Sequence, residues 1–413
     1  MTTVQSQIIT TYKAAVSLRN STDEQVMNAL QLLADALEAS AGTLLEANRQ
    51  DVAKVDPANP RLDRLLLNEQ RLKGIANSIR QISRLPNPTG KVLEQRTLYN
   101  GLQLQKVTVP LGVVGAIYES RPNVTFDIAA LCLRSMNACV LKGSSEAEHT
   151  NRAAIALIHK VLEAAGINPD CVTLLPPARE TVQELFTATR YVDVLIPRGS
   201  EGLIQFVRKN SLVPVIETGA GVVHIYVEKD AALEKAVDIV VNAKVSRPSV
   251  CNAVDTVLVD DAIAPRFLEQ LQERFRQHNV EIFADHSAAE LLQGYPHLQQ
   301  ATTEDFGREF LDLKCAVKVV RNIDEALEHI QEFSTRHSEA IVSENKEACN
   351  RFIREVDAAA VYANASTRFT DGEEFGLGAE IGISTQKLHA RGPFALEKLV
   401  TEKWIIQGEG QIR

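Results

Sequence analysis

The stretch LGVVGAIYESRPNVTFDIAALCLRSMNACVLKG (111–143) decides the fold, because it joins two strand-like runs through a helix-like segment. Residues 111–118 and 137–143 are short apolar runs that predict strands, and 124–136 predicts a helix. The alternation continues through a helix at 146–166, a strand at 171–176, a helix at 180–189, a strand at 192–197, a helix at 203–210 and a strand at 213–218. Repeated strand–helix units predict a parallel α/β sheet with helices on both faces, in which ligands bind beyond the carboxyl ends of the strands.

The segments that precede this sheet predict helices and then a hairpin. Residues 24–55 and 61–85 carry apolar side chains at three- and four-residue steps, which is typical of amphipathic helices. Residues 93–110 alternate in polarity around Asn100-Gly101, the strongest local hairpin signal. Such a hairpin is a candidate subunit-pairing element, and an ordinary sheet edge is equally compatible with the pattern.

A second α/β segment runs from about 222 to 385. It contains predicted strands at 222–231, 253–263, 314–320, 339–343 and 358–364, and predicted helices at 233–245, 266–279, 323–335 and 346–356. The polar, glycine-rich stretch 365–384 is long enough to be a binding loop rather than a connection. The C-terminal residues 399–413, with Trp404 and two adjacent isoleucines, predict a strand and tail suited to an intersubunit sheet.

Composition excludes several classes of protein. A chain of 413 residues with 45% apolar and 23% charged residues predicts two or three ordinary globular domains. The net charge of −9 argues against nucleic-acid or anionic-membrane partners, and no apolar run approaches the roughly 18 residues that span a bilayer. With no secretory pattern, no CxxC and no ligand-like spacing of histidines, we expect a cytoplasmic protein without a metal site.

One of the six cysteines has the surroundings of a nucleophile. Cys251 lies in SRPSVCNAVDTVLV (246–259), a polar loop that carries Arg247 and follows Lys244. Nearby cations and partial exposure lower the pKa of a thiol and make it reactive. The other five lie on helical or strand-like apolar patterns and are predicted core residues: Cys132, Cys139, Cys171, Cys315 and Cys349.

Three short loops at predicted strand ends could hold phosphates. They are ESRPNV (119–124), GSSEAE (143–148) directly after Lys142, and RGSEGL (198–203), which leads into a helix. Free N–H groups at a helix start attract anions, although none of the loops matches the dinucleotide motif GxGxxG. Each loop alone is compatible with a simple tight turn, but together the three favour a nucleotide site.

Five long segments carry a resemblance to a known family. They are 109–125, 195–203, 241–259, 319–341 and 365–393. In this order, and over essentially the whole chain, the sequence resembles the γ-glutamyl phosphate reductase family of the aldehyde dehydrogenase superfamily. The resemblance implies an aldehyde-dehydrogenase-like α/β fold, with a Rossmann-type NADP-binding domain (1–93 and 111–220) and an α/β catalytic domain (221–385). It also implies a small β oligomerisation element formed by the hairpin 94–110 and the C-terminal 386–413.

The resemblance implies a reaction and its catalytic residues. In this family, NADPH reduces L-glutamyl 5-phosphate to L-glutamate 5-semialdehyde and phosphate, a step of L-proline biosynthesis. Cys251 matches the nucleophile that forms a thioester, and Asn123 matches the asparagine whose amide, together with the Cys251 N–H, stabilises the oxyanion. Glu217 matches the base of hydrolytic relatives. A reductase that releases phosphate has no obvious need of that base, so Glu217 is expected at most to shuttle the thiol proton.

Further positions are assigned to cofactor and substrate by the same resemblance. The NADP(H) residues are Lys142, near the adenosine ribose, Gly199 and Ser200 at the pyrophosphate, and either Glu309 or Asp312 at the nicotinamide ribose. Arg121 and Arg247 are candidates for the acyl phosphate, or alternatively structural ion-pair partners. Ser366, Thr367 and Arg368 match the loop for the α-carboxylate and ammonium end of the substrate.

Two other functions remain open on the sequence. One is an NAD-dependent hydrolytic aldehyde dehydrogenase, and the other is a non-catalytic partner of the glutamate kinase. We also expect a homo-oligomer and a possible transient complex with glutamate 5-kinase, which makes the labile substrate.

Overall fold

The chain forms two compact units in the computed structural model, which describes residues 3–56, 62–219 and 221–413. The first unit contains the chain up to Thr218 together with Gly376–Gly382 and Phe394–Arg413. The second contains Gly219–Phe375 and Ile383–Pro393. The residues 376–382, predicted within the catalytic domain, thus belong to the first unit. The residues 386–393, predicted within the oligomerisation element, belong to the second.

The N-terminal region is helical, as the apolar periodicity predicts. Its helices are α1 (Val4–Leu18), α2 (Asp23–Ala39), α3 (Ala41–Val52), α4 (Leu62–Leu65) and α5 (Glu69–Arg84). The Thr22 and Asn68 side chains accept backbone N–H groups at the starts of α2 and α5, which satisfies donors that the helix leaves unpaired. The predicted helical segment 24–55 is therefore two helices, which meet at Ser40.

The predicted hairpin is present around Asn100-Gly101. Strand β1 (Val92–Thr97) pairs antiparallel with β2 (Gln103–Pro110). Gly101 has a φ of 88°, a left-handed conformation that glycine adopts without a steric penalty.

The sequence that follows builds a four-stranded parallel sheet in the first unit. Its elements are β3 (Val113–Tyr118), α6 (Pro122–Arg134), β4 (Ala138–Lys142), α7 (Glu148–Ala164), β5 (Val172–Leu174), α8 (Glu180–Phe186), β6 (Val194–Arg198) and α9 (Glu201–Asn210). The strand order is β5-β4-β3-β6, and every pair is parallel. The predicted strand at 213–218 is reduced to one bridge between Val215 and Leu195. Pro214 has no N–H with which to extend a ladder.

The second unit is built on a seven-stranded sheet. Its elements are β7 (His224–Val227), α10 (Leu233–Val245), β8 (Thr256–Asp260), α11 (Ala264–Arg276), β9 (Glu281–Ala284), α12 (His286–Leu291), β10 (Leu298–Gln300), β11 (Lys314–Val320), α13 (Ile323–Phe333), β12 (Ser338–Val342), α14 (Lys346–Glu355) and β13 (Ala360–Ala363). The order is β10-β9-β11-β8-β7-β12-β13, with all neighbours parallel. The sequence did not predict β9, α12 and β10, because each is only one turn or a few residues long.

Three strands close the chain. Strand β14 (Glu380–Ser384) pairs with β15 (Gly392–Ala395), so the predicted loop 365–384 ends in a strand. Strand β16 (Val400–Gln407) pairs antiparallel with β2 and forms the three-stranded sheet β1-β2-β16. Among the described residues, no helix is long and apolar enough to cross a membrane.

A buried histidine directly before β12 predicts a loss of stability in mild acid. Burial lowers the pKa of His337 to about 4, whereas an exposed histidine titrates near pH 6.5. Between pH 6.5 and pH 4 this histidine is protonated in the unfolded chain but not in the folded protein. The free energy of unfolding therefore falls by about 1.4 kcal/mol for each pH unit in this range. We expect urea unfolding to show that the free energy of unfolding of the wild type decreases between pH 7 and 5 by more than that of His337→Gln. The variant His286→Gln, at an exposed position, should follow the wild type; parallel curves for all three proteins would contradict the prediction.

Candidate active site

Cys251 lies in a loop at the amino end of β8, in the second unit. It is half-buried, whereas the five predicted core cysteines are buried, as the sequence indicated. The cysteine loop (246–252) follows α10, and β8 begins five residues after Cys251. In this sheet the candidate nucleophile therefore lies at the amino ends of the strands.

The backbone of Gly221 packs closely against the backbone of Cys251 in the cysteine loop. A Cβ atom at this position would lie 1.8 Å from the Cys251 carbonyl oxygen, so only glycine fits. The Gly221 N–H donates to Oε1 of Glu309 at 3.0 Å, which brings Glu309 to the same place. Asp312 instead accepts the Leu313 N–H and turns a largely exposed carboxylate toward Lys314. Of the two alternatives, the structure brings only Glu309 beside the cysteine loop.

A second loop is tied to the cysteine loop through Asn252. In this arginine loop (366–370), the Thr367 hydroxyl donates to the Asn252 carbonyl at 2.8 Å. The Asn252 amide donates to the Thr370 carbonyl at 2.9 Å and accepts a hydrogen bond from the Arg368 guanidinium. Ser366 is buried and accepts the Arg368 N–H at 3.3 Å. The hydroxyls of the predicted substrate residues Ser366 and Thr367 thus form hydrogen bonds within the protein. Asn252 was missed, although its place directly after the nucleophile was a signal.

The cations that flank Cys251 have different roles. Arg247 is exposed, and burial together with the neighbouring Arg247 charge lowers the pKa of Arg368. Lys244 is fully buried, with its Nζ 3.6 Å from Oδ1 of Asp255, so its charge balances a buried carboxylate. Burial also raises the pKa of Asp255 to about 6. The guanidinium groups, rather than Lys244, give the cysteine loop its positive character.

Asn123 lies in the first turn of α6, in the first unit. Its side-chain amide donates to Oδ2 of Asp127 at 2.9 Å, one helical turn further on. Burial raises the pKa of Asp127 to about 6. The sequence analysis missed Asp127, although a carboxylate four residues after an asparagine on a helix is placed to fix its orientation.

A cavity opens at the carboxyl ends of β4 and β5, where the sequence predicts a ligand. Its volume is about 430 Å³, and its lining includes Gly143, Ser144, Asn151, Leu175 and Pro176. Gly143 has no space for a side chain, because a Cβ would lie 2.3 Å from the Asn151 amide nitrogen. Lys142 ends β4 directly before this cavity, and its partial burial lowers its pKa.

The predicted phosphate loop at Gly199 and Ser200 already binds a carboxylate of the protein itself. The Ser200 N–H donates to Oε2 of Glu119 at 2.9 Å, and the Ser200 hydroxyl donates to Oε1 at 2.7 Å. A Cβ on Gly199 would lie 2.8 Å from the same carboxylate. Ser200 also caps α9 by accepting the Leu203 N–H. The start of α9 is thus an anion-binding position, and Glu119 is a residue that the sequence did not reveal.

The two remaining predicted site residues of the first unit, Arg121 and Glu217, contact residues close to them in the sequence. Arg121 is half-buried at the start of α6, and its N–H donates to the Glu119 carbonyl at 2.6 Å. Glu217 forms an ion pair with Arg208 of α9, with 3.1 Å between Oε1 and Nε. Their chemical roles stay predictions.

Comparison with known proteins identifies the family. The sequence profile of the aldehyde dehydrogenase family matches residues 3–289. The γ-glutamyl phosphate reductase of Pelodictyon phaeoclathratiforme is 53% identical, over 100% of this chain and 99% of its own length. That of Chlorobaculum parvum is 56% identical, over 95% and 94%.

This chain belongs to the γ-glutamyl phosphate reductase family. A solved γ-glutamyl phosphate reductase, from Thermotoga maritima, is 42% identical and superposes with a TM-score of 0.95 over 99% of both chains. An acetylating aldehyde dehydrogenase from Geobacillus thermoglucosidasius shares the fold at 18% identity, with a TM-score of 0.70 over 99% of this chain and 97% of its own. The predicted family and the predicted aldehyde-dehydrogenase-like α/β fold are both confirmed.

Proposed function

We propose that this protein reduces L-glutamyl 5-phosphate to L-glutamate 5-semialdehyde and phosphate with NADPH, as a step of L-proline biosynthesis. The observation that carries the proposal is Cys251, the one cysteine of six that is not buried, in a positively charged loop that Gly221 and Asn252 hold in place. Relatives more than 50% identical over nearly the whole chain carry the name of this activity. They do not favour the hydrolytic or the non-catalytic alternative.

Cys251 performs the first chemical step in this proposal. Its thiolate attacks the δ-carbonyl carbon of the acyl phosphate, the S–C bond forms, and the C–O bond breaks with its electron pair leaving on phosphate. The result is a glutamyl thioester on Cys251. The resemblance assigns oxyanion stabilisation to the Asn123 amide and the Cys251 N–H, and the hydrogen bond to Asp127 holds that amide in a fixed direction.

The first unit supplies the residues proposed for the nicotinamide cofactor, which when bound provides the hydride that reduces the thioester. The cavity beyond β4 and β5 is of a size for a nucleoside, and Gly143 lies in its lining, where Asn151 leaves no room for a side chain on that residue. Lys142 directly precedes Gly143 of this lining, and its positive charge would favour the 2′-phosphate that distinguishes NADP from NAD. Gly199 and Ser200 offer the α9 N-terminus to the pyrophosphate. Within the second unit, Glu309 is the better placed candidate for the nicotinamide ribose.

The reverse reaction gives the simplest test of this function. Purified protein should reduce NADP⁺ in the presence of L-glutamate 5-semialdehyde only when inorganic phosphate is added, and should do so faster than with NAD⁺. In the forward direction, substrate generated by glutamate 5-kinase should consume NADPH. Production of glutamate without a need for phosphate would instead support the hydrolytic alternative.

Glu119 competes with the cofactor for the start of α9 in this proposal. The carboxylate occupies the Ser200 N–H that a pyrophosphate would need, and it also repels an incoming anion. We expect Glu119→Gln to lower the Kd for NADPH about fivefold, in keeping with about 1 kcal/mol for a charge at a helix terminus. Fluorescence titration of NADPH measures the effect. The exposed residue Glu163 of α7 provides a matched control, because Glu163→Gln removes the same charge elsewhere. Weaker binding by Glu119→Gln would mean that the carboxylate instead shapes the loop for the cofactor.

The sheet β1-β2-β16 supports the proposal of a homo-oligomer. Strand β16 is an edge strand, and it exposes Trp404, Ile405 and Ile406 to solvent, while β1 exposes Val92 and Leu93. An apolar edge of this kind favours pairing with another chain. Light scattering should therefore give a mass that is a multiple of 45.4 kDa; a monomeric mass at micromolar concentration would contradict the proposal.

Two further parts of the proposal concern the cellular setting. A transient complex with glutamate 5-kinase would protect the labile acyl phosphate, and co-sedimentation of the two purified enzymes tests it. None of the six cysteines forms a disulfide bond, which fits the reducing environment of a cytoplasmic location.

A further inference from the structure

The guanidinium group of Arg368 spans the cysteine loop from one end to the other. Its Nε donates to the Ser246 hydroxyl at 3.0 Å, and its Nη1 donates to Oδ1 of Asn252. Ser246 directly precedes Arg247, and Asn252 directly follows Cys251. Arg368 is therefore held beside the candidate nucleophile by the two ends of the loop that carries it.

Asn252 fixes this arrangement. It is 4% exposed, and its amide nitrogen donates to the carbonyls of Thr370 at 2.9 Å and Arg368 at 3.3 Å. The backbone carbonyl of Asn252 accepts a hydrogen bond from the Thr367 hydroxyl at 2.8 Å. A buried side chain with this many partners holds one orientation, because any rotation leaves polar groups unpaired. Movement of Arg368 relative to Cys251 is restricted accordingly.

Two guanidinium groups belong to this part of the structure. Arg247 directly follows Ser246, whose hydroxyl accepts the hydrogen bond from Nε of Arg368 at 3.0 Å. Burial together with the Arg247 charge lowers the pKa of Arg368. Two guanidinium groups close together repel each other unless an anion binds between them. A guanidinium fork matches the oxygens of phosphate, and two forks match a group of two negative charges.

We infer that Arg368 and Arg247 together bind the phosphate of the acyl phosphate as the leaving group, and that Asn252 is the positioning residue for Arg368. This inference rests on the proposed function and reassigns Arg368, for which the family resemblance indicated the α-carboxylate end of the substrate. As the S–C bond to Cys251 forms and the C–O bond breaks, the electron pair passes to the phosphate oxygen. The two guanidinium groups stabilise the charge that grows there.

Inorganic phosphate is the probe for a binding test that does not depend on turnover. Because the other five cysteines are buried, iodoacetamide reports on Cys251. We expect millimolar phosphate to slow the alkylation of the wild type, and Arg368→Gln or Arg247→Gln to raise the half-protecting phosphate concentration at least tenfold. Arg274→Gln, an exposed arginine of α11 paired with Asp238, should behave as the wild type. Absence of protection in the wild type would overturn the inference.

Kinetics of the reverse reaction distinguish whether Arg368 binds the phosphate or the α-carboxylate end of the substrate. Arg368→Lys keeps the charge and loses the fork, so we expect a KM for phosphate raised at least fivefold and an unchanged KM for NADP⁺. Asn252→Ala should raise the same KM, since it releases the guanidinium; Arg368→Lys keeps the test informative if Asn252→Ala fails to fold. An increase confined to the KM for the semialdehyde would place Arg368 at the α-carboxylate and overturn the inference. Phosphate protection in a protein without phosphate-dependent NADP⁺ reduction would support the anion site while refuting the proposed function.

Discussion

Replacing Cys251 by alanine is expected to lower the rate of phosphate-dependent NADP⁺ reduction by about 10⁴-fold or more, the loss usual for a removed nucleophile. Without the thiolate no thioester can form, so the proposed route through a covalent intermediate is lost. The rate is measured by NADPH absorbance with L-glutamate 5-semialdehyde and phosphate. The Kd for NADPH should stay unchanged, since the cofactor residues proposed from the first unit are untouched.

A second cysteine provides the matched control. Cys349 lies on α14 and is 8% exposed, so Cys349→Ala removes a thiol from the same unit without reaching the cysteine loop. We expect Cys349→Ala to keep the activity within about twofold. Mass spectrometry of the wild type mixed with glutamyl phosphate should detect a glutamyl adduct on the peptide that contains Cys251. Full activity of Cys251→Ala would exclude the thioester mechanism.

Replacing Gly221 by alanine is expected to lower kcat by about 100-fold although the new side chain is a single methyl group. The added Cβ would lie 1.8 Å from the Cys251 carbonyl oxygen, a backbone atom that cannot rotate away as a flexible side chain can. The cysteine loop must then shift by an ångström or more, and misplacement of this size costs about 10² in rate. Steady-state kinetics measures the loss, and the rate of Cys251 alkylation reports the changed surroundings of the thiol.

Gly42 offers the comparison for this substitution. It lies within α3, and a Cβ there would meet no atom within 4 Å. Gly42→Ala should therefore keep full activity and gain up to about 1 kcal/mol of stability from the better helix propensity of alanine. Wild-type kinetics for Gly221→Ala would show that the cysteine loop can move freely without loss of catalysis.

The sequence predicted the fold wherever the pattern was long and regular. The alternation in residues 111–210 predicted every strand and helix of the first parallel sheet. A buried strand appears in the sequence as an apolar run, and a surface helix appears as apolar residues at a regular period. It failed at 213–218, where Pro214 interrupts a ladder, and at 281–300, where β9, α12 and β10 are too short to show a period. Local pattern cannot reveal elements that only tertiary packing stabilises.

The candidate site was predicted in part. Cys251 could be recognised from its polar flank, since the other cysteines lie on apolar patterns. Asn252 could not be assigned its role, because its amide bonds to Thr370, 118 positions later in the chain. Glu119 reaches Ser200 over 81 positions in the same way. The partners that hold a functional residue are chosen by the folded chain, so they stay hidden until the loops are brought together.

The division of the chain has a consequence for how the protein is made. Strand β16 completes the three-stranded sheet, and the Asn137 amide donates to the Leu399 carbonyl at 2.8 Å across 262 positions. On the ribosome most of the first unit emerges before the second unit. Its three-stranded sheet nevertheless lacks β16 until residues 400–407 have been synthesised. During that interval β2 exposes an unpaired edge to solvent and to other chains. The second unit, which is nearly continuous in sequence, can finish folding before the first one does.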